Sequence, residues 1–144
     1  MQTQRVNRTD SEKTYMVVRN MSGATMNGNG AVCLDLGTTI DGISSVAPAS
    51  GSFLGFVGIA DADITNTSYG RVQSMGHRAS VLVSHEGTSV TVTAGNALHC
   101  VNGVAGLSTS TVEALSTVGY KYVVAEDTAT VSAAAYVGGI IRAL

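Results

Sequence analysis

The sequence predicts an all-β fold, a compact β-barrel or β-sandwich of short strands with a flexible N-terminal arm. Short runs rich in β-branched residues alternate with turns dense in Gly and Asn, residues that tolerate positive φ angles. Segments with a helical pattern are few. The length of 144 residues is that of one domain, which can bury most of its apolar surface without cross-links.

The first 14 residues are polar and show no periodicity, so we expect an extended arm at 1–14 and a single β domain at 15–144. Arg5, Arg8 and Lys13 give this arm three positive charges, and Asp10 and Glu12 offset part of them. Charged chain ends are either solvated or act as interaction tails, and the solvated form is the simpler interpretation.

Apolar runs give the strand predictions. The segment 53–60 is the most apolar, and its glycines predict a central strand that is buried on both faces with a close neighbour. Cys100 to Ala105 is interpreted as a turn. The remaining predicted strands are 15–20, 31–36, 69–84, 89–98, 121–127 and 132–144.

The longest patterned stretch runs from Tyr69 to Leu98. Its first arm alternates with a period of two, its second places Val90 and Val92 on one face, and Glu86-Gly87 lies between them. This pattern predicts a β-hairpin with one buried face. A lone hairpin is marginal in water, so flanking strands must complete the core.

Two segments could form a short helix. In the polar loop 38–52, apolar residues recur at helix-like spacing, but Gly42 and the neighbouring Ser and Thr residues are poor helix formers. The window 110–116 could form a helical turn.

Charged residues make up 12% of the chain, against about 25% in an average soluble protein, which indicates that other subunits cover part of the surface. The net charge of −2 gives no footprint for direct nucleic-acid binding. The start has no signal-peptide pattern, and no window reaches the roughly 18 apolar residues of a membrane span. We therefore expect synthesis in the cytoplasm and no membrane partner.

The two cysteines, Cys33 and Cys100, lie in apolar, strand-like contexts. For a protein made in a reducing compartment this favours small buried thiols, with a disulfide as the alternative. Without a Cys-x-x-Cys spacing they give no zinc signature.

Candidate metal ligands are sparse. Asp61 and Asp63 would point the same way from an extended chain and could hold a divalent ion, but such an ion wants about six oxygens. Carboxylates that accept backbone N–H bonds in a loop are the favoured interpretation. His77, His85 and His99 are spread out and favour surface or edge positions. We predict no metal and no cofactor.

Catalytic motifs fail on inspection. The segment 93–100 superficially resembles the His-Cys signature of trypsin-like proteases, but no nucleophile turn accompanies it. Gly28 and Gly30 precede a strand rather than opening a helix, the reverse of a phosphate-binding loop. The sequence predicts a protein that is not an enzyme.

From about Tyr15 to Leu144 the chain resembles the small head decoration, or cement, proteins of tailed phages. The stretches that carry the resemblance are Gly30-Ala31-Val32-Cys33-Leu34, the run from Gly55 to Ile64, Tyr69-Gly70-Arg71-Val72-Gln73, the run from Val92 to Leu98, and Ile140-Ile141-Arg142-Ala143-Leu144.

The resemblance implies a compact β domain that binds the outer surface of an assembled phage capsid and stabilises it, often as a homotrimer. Its partner would be the major capsid protein, and the N-terminal arm, with Arg5, Arg8 and Lys13, is the candidate capsid contact. Two alternatives stay open. One is another virion component, such as a head fibre base, tail or coat protein. The other is a carbohydrate-binding module, although such modules usually display aromatic side chains and Trp is absent here.

Overall fold

Eleven β-strands lie in the part of the chain that the computed structural model describes, residues 12–38, 40–85, 89–109 and 122–143. The all-β prediction is confirmed, and the helical element in these ranges is a single 3-10 turn at Phe53–Gly55. The strands are β1 (Thr14–Asn20), β2 (Ala31–Leu34), β3 (Ser44–Val46), β4 (Phe56–Ala60), β5 (Tyr69–Val83), β6 (Val90–Val92), β7 (Ala97–Val101), β8 (Val104–Ser108), β9 (Tyr122–Ala125), β10 (Ala129–Val131) and β11 (Ala135–Arg142).

The long strand β5 belongs to two closed circuits of paired strands. In the first circuit the order is β1-β3-β2-β4-β5, and β5 pairs back to β1. In the second circuit the order is β5-β11-β9-β7-β8, and β8 returns to β5 through the pair Val83↔Leu107. Closing a sheet on itself satisfies strand edges that would otherwise be unpaired. The circuits therefore correspond to the barrel form of the predicted fold.

Two hydrophobic clusters lie on opposite faces of β2 and β4. Val32 and Val57 belong to the smaller cluster, while Cys33 and Phe56 belong to the larger. All five residues of β4 are buried, as expected for a strand covered on both faces. The prediction of a central strand at 53–60 is confirmed, although its first three residues form the 3-10 turn.

The members of each cluster show which circuit it serves. The smaller cluster consists of Val18, Met26, Val32, Val57, Ala60, Ile64 and Val72. The larger consists of Ala31, Cys33, Phe56, Ile59, Val81, Val83, Val92, Leu98, Cys100, Leu107, Val123, Ala125, Val131, Val137, Ile141 and Ala143. The smaller cluster draws on strands of the first circuit and its loops. The larger draws on the second circuit, on the separate sheet of β6 and β10, and on the outer faces of β2 and β4.

Gly58 shows why a glycine stands at the centre of β4. Its φ is +138°, a value that L side chains rarely adopt. A Cβ at this position would overlap the carbonyl oxygen of Gln73 on β5. The strands pair here through Ile59↔Gln73 and Ala60↔Val72. The predicted close approach of a neighbouring strand is confirmed.

The predicted hairpin between 69–84 and 89–98 is wrong. The first arm is the single strand β5, but it pairs with β1, β4, β8 and β11. The second arm divides into β6, which pairs with β10 in a separate two-stranded sheet, and β7, which pairs with β8 and β9. The expected Glu86-Gly87 turn lies outside the described residues. Strands other than its expected partner pair with both edges of β5.

The expectation of one buried face on β5 is also wrong. Val72, Gln73 and Ser74 are consecutive and all buried. The strand leaves β1 and β4 near Met75 and then follows β11, with register shifts in its pairing with both β1 and β11. A strand that serves two circuits changes its buried face where it passes from one to the other.

Smaller differences concern short elements. The described residues of 38–52 contain β3 and turns rather than a helix. One turn is held by the Asp41 carboxylate, which accepts backbone N–H bonds from Ile43 and Ser44. The hydrogen bond from Ser44 is the main reason that the pKa of Asp41 is lowered. The strands β3, β8 and β10 were not predicted, and the proposed helical turn at 110–116 lies outside the described residues.

Candidate interaction surface

A buried arginine organises the junction of the two circuits. The Arg78 guanidinium donates to Asn29 Oδ1 at 2.7 Å, to Gln73 Oε1 at 3.3 Å and to the Ala60 carbonyl at 3.0 Å. It also reaches the Ser80 and Asp61 carbonyl oxygens. A buried cation is stable only when its donors are satisfied, and here acceptors surround the guanidinium. Arg78 therefore connects three segments: β5, the end of β4, and the turn that precedes β2.

Asp61 sits at the edge of this network. Its carboxylate accepts from Arg71 at 2.6 Å and from Arg78 at 3.4 Å. Burial works to raise the pKa of Asp61, but the hydrogen bonds from Arg71 and Arg78 outweigh it, so the pKa is lowered. Asp63 Oδ1 instead accepts the backbone N–H of Gly28 at 2.7 Å.

These contacts decide the roles of the two aspartates. The loop role that we expected is confirmed for Asp63. For Asp61 the expected backbone partner is wrong, because two arginine side chains bind its carboxylate. The two carboxylates have separate partners, and the described residues contain no group of three or more side chains suited to a metal ion.

The three histidines lie in different surroundings. His77 Nε2 is 2.8 Å from Glu126 Oε2, at a half-exposed position where β5 and β11 pair. His85 follows β5, and its Nδ1 is buried without a hydrogen-bond partner in the part of the chain that is described. His99 lies on β7 and is half-buried.

The strands β1 and β5 form an exposed sheet face. The strands run antiparallel, with Val17 opposite Arg71 and Arg19 opposite Tyr69. Side chains alternate along a strand, so Val18 points to the core while Tyr15, Val17 and Arg19 share the outer face. Tyr69 is 63% exposed and Val17 is 55% exposed. We call Tyr15, Val17, Arg19, Tyr69 and Arg71 the Tyr–Arg face.

Contacts between its members hold this face in shape. The Arg71 guanidinium carbon lies 5.1 Å from the centre of the Tyr15 ring, and that of Arg19 lies 6.0 Å from the centre of the Tyr69 ring. Both distances are within the range of cation–π attraction. Asp61 fixes the far end of Arg71. Tyrosine and arginine are the residue types enriched at the energetic centres of protein interfaces.

The N-terminal arm joins the domain at this face. Lys13 is exposed and directly precedes β1, which starts at Thr14, one residue earlier than predicted. Arg19 and Arg71 place two cationic groups on the face, and Asp61 offsets part of this charge by pairing with Arg71. Arg5 and Arg8 lie outside the described residues, so their role stays a prediction.

Sequence reasoning missed most of this face. The alternation of Tyr15, Val17 and Arg19 in β1 was available as a signal for one exposed strand face. The contribution of Tyr69 and Arg71 was not, because it depends on β1 pairing with β5 across about 50 residues of chain.

Comparisons with known proteins do not assign this chain to a family. No protein-family model matches the chain, and the search of curated proteins found no match. Within the ranges that the structure describes, no helix is long and apolar enough to cross a membrane.

Proposed function

We propose that this chain is a virion structural protein, a capsid decoration protein that attaches to the outer surface of a mature tailed-phage head and stabilises it. The observation that carries the proposal is the preformed Tyr–Arg face, part of which lies on β1, the strand that directly follows the arm with Arg5, Arg8 and Lys13. The family resemblance of the sequence supports the same role. In this role the chain is not an enzyme, and its partner is the major capsid protein.

The arm and the face together provide two linked contacts. Arg5, Arg8 and Lys13 would engage the shell first through charge, and the Tyr–Arg face would then dock next to them. Once one contact has formed, the second is intramolecular, so modest contacts combine into strong attachment. In a homotrimer the number of linked contacts would be three times as large, which would strengthen the attachment further.

The face is suited to docking because its side chains are already ordered. Each tyrosine is held beside an arginine, so less side-chain freedom is lost on binding than for isolated side chains. The closed circuits behind the face keep β1 and β5 in register. A rigid, preformed contact surface fits a protein whose task is adhesion rather than chemistry.

One observation favours the carbohydrate-binding alternative. Tyr69 is 63% exposed and Tyr15 is 39% exposed, and exposed rings of this kind can stack on sugars. Arginine lies over each ring and covers part of the stacking surface. This arrangement makes a charged protein partner the better fit.

The test is co-sedimentation with expanded, DNA-filled capsids that lack the protein, with unexpanded shells for comparison. We expect saturable binding to the expanded form. Tyr69→Ala should weaken binding by about thirtyfold or more, since truncating a hot-spot aromatic costs about 2 kcal/mol or more. Deleting residues 1–11 should also weaken it while leaving the domain folded.

The matched control is Tyr136→Ala, on β11, because Tyr136 is similarly exposed at 61% and lies outside the Tyr–Arg face. It should bind like the parent protein. If Tyr69→Ala and Tyr136→Ala lose capsid binding equally, the Tyr–Arg face is not the docking surface. Failure of the folded parent protein to bind either form of the shell would contradict the decoration role, and retention on a glycan array would then favour the sugar-binding module.

A further inference from the structure

Two thiols meet in the core where the circuits pack against each other. Cys33 on β2 and Cys100 on β7 are 0% and 4% exposed, and their Sγ atoms are 3.9 Å apart. Both are buried and no disulfide joins them, which confirms the prediction of small buried thiols. The strand β2 belongs to the first circuit and β7 to the second. No backbone pairing joins these two strands within the described sheet, so the thiol contact spans the circuits through side chains.

The surroundings keep both sulfurs in a dry, apolar site. Phe56, Leu98 and Leu107 belong to the same cluster as the two cysteines. The hydrogen bond with Cys33, followed by burial, raises the pKa of the Cys100 thiol far above its ordinary value. The resting pair is therefore neutral, which makes it a poor nucleophile and a poor metal ligand.

The distance leaves the pair close to bonding range. A disulfide has an S–S separation of about 2.05 Å, so the two sulfurs must approach by roughly 2 Å. Because the site is buried, the oxidant must be small.

We propose that Cys33 and Cys100 are an oxidative modification site, at which a hydroperoxide converts the two thiols into an intramolecular disulfide between the circuits. In a local opening of the core that admits the hydroperoxide with water, one thiol loses its proton to the water and becomes the nucleophilic thiolate. Its sulfur attacks the peroxide oxygen and the O–O bond breaks, which forms a sulfenic acid, and the departing oxygen takes up that proton and leaves as water (or alcohol). The second thiol then attacks the sulfenic sulfur and releases a second water. The two thiols lose two electrons and two protons in total, and the hydroperoxide is reduced.

The cross-link would act on stability. It joins residues 67 positions apart, and closing so long a loop restricts the unfolded chain strongly. It also adds a covalent connection between circuits that otherwise share the backbone of β5. Folding would take place with free thiols in a reducing cytoplasm, and the bond would form after exposure to an oxidising exterior. This timing for a virion rests on the proposed function, whereas the cross-link itself does not.

The test treats the folded, reduced protein with hydrogen peroxide, unfolds it, blocks free thiols with iodoacetamide and maps its peptides by mass spectrometry. We expect the Cys33 and Cys100 peptides to be joined, about 2 Da lighter than their sum, and resistant to alkylation until reduced. The oxidised monomer should melt about 10 °C higher than the reduced protein. Cys33→Ala and Cys100→Ala should each abolish the joined peptide and the rise in melting temperature.

Two results would overturn the proposal. One is that both cysteines remain open to alkylation after prolonged peroxide treatment. The other is that they become sulfinic or sulfonic acids without a joined peptide. Neither result involves capsids, so failure here leaves the decoration role untouched. Conversely, if the protein forms the disulfide but does not bind capsids, the disulfide proposal is supported and the decoration role is contradicted.

Discussion

The first and second circuits are stabilised in different ways. Polar side chains are buried in the first circuit and at the junction, where Asn20 and Gln73 are fully buried and Arg78 nearly so. The larger cluster fills the second circuit, and the buried polar side chains described there, Ser84 and Ser108, are small. Hydrogen bonds are directional and need every partner, whereas apolar packing is graded and depends mainly on volume. The first circuit should therefore be the less tolerant of a single substitution.

Asn20 is an example of a buried polar side chain that stabilises the first circuit. Its amide donates to the carbonyl oxygens of Ala24 and Ile64, both at 2.7 Å. Its Oδ1 accepts from the backbone N–H and the hydroxyl of Ser22. One side chain thereby fixes two loops that cannot bury enough apolar surface to hold themselves. The first circuit is held by such hydrogen-bonding residues, whereas the second circuit is held by the packing of large apolar side chains.

The largest expected effect is that of Arg78→Met. It leaves the acceptors Asn29 Oδ1, Gln73 Oε1 and the Ala60 carbonyl without their donor, and removing one partner of a buried charged network costs about 3–5 kcal/mol. Urea unfolding measures the change in free energy. The control Arg142→Met, at an exposed position, should change stability by about 0.5 kcal/mol or less. An Arg78→Met protein as stable as its parent would show that apolar packing can replace the network.

A smaller effect is expected for Ile141→Val in the second circuit. Ile141 is 1% exposed in the larger cluster, and losing one methylene from such a site costs about 1 kcal/mol. The neighbouring Ile140 is 39% exposed, so Ile140→Val is a matched control with an effect near zero. Thermal unfolding of both variants compares them in the same strand. A loss at Ile141 as large as that of Arg78→Met would remove the contrast between the circuits.

The smallest effect is a difference in acid stability. The folded-state pKa of Asp61 is lowered from 3.8, so its contribution to stability is present above pH 3.8 and is lost as the pH falls through the lower, folded value. Asp61→Asn should therefore flatten the fall in stability below pH 4. Asp41 also has a lowered pKa, so part of the slope should remain. Urea midpoints at pH 7 and pH 3 measure the difference, and an unchanged slope would argue against the arginine contacts of Asp61.

Local patterns predicted elements better than their partners. The predicted strand at 53–60, buried on both faces, is correct for 56–60, because the continuous apolar run and its glycines are local features. The 69–83 strand was also found, but its partner was not. The clearest hairpin in the described chain joins β7 and β8 through Asn102-Gly103, where a turn was predicted without the second strand. Asn-Gly between apolar runs is a strong hairpin signal, stronger than the Glu86-Gly87 pair on which the hairpin prediction depends.

The candidate surface divides in the same way. Alternation within β1 could indicate that Tyr15 and Arg19 share an exposed face. Their meeting with Tyr69 and Arg71 required the pairing of β1 with β5, which no local pattern encodes. The role of Arg78 was equally hidden, since an arginine in an alternating strand is normally exposed. Its burial depends on acceptors that three separate segments bring to one point.

The amino-acid sequence alone determined the strand-rich class, the places where the chain turns and the burial of the two cysteines, because these depend on side-chain size, polarity and backbone freedom at neighbouring positions. The tertiary structure decided which strands pair, how the two circuits share β5, and that Cys33 lies beside Cys100. Those features arise from contacts between residues far apart in the chain. The free energy of such contacts depends on the completed packing, and a period of two in a strand is equally compatible with many partners.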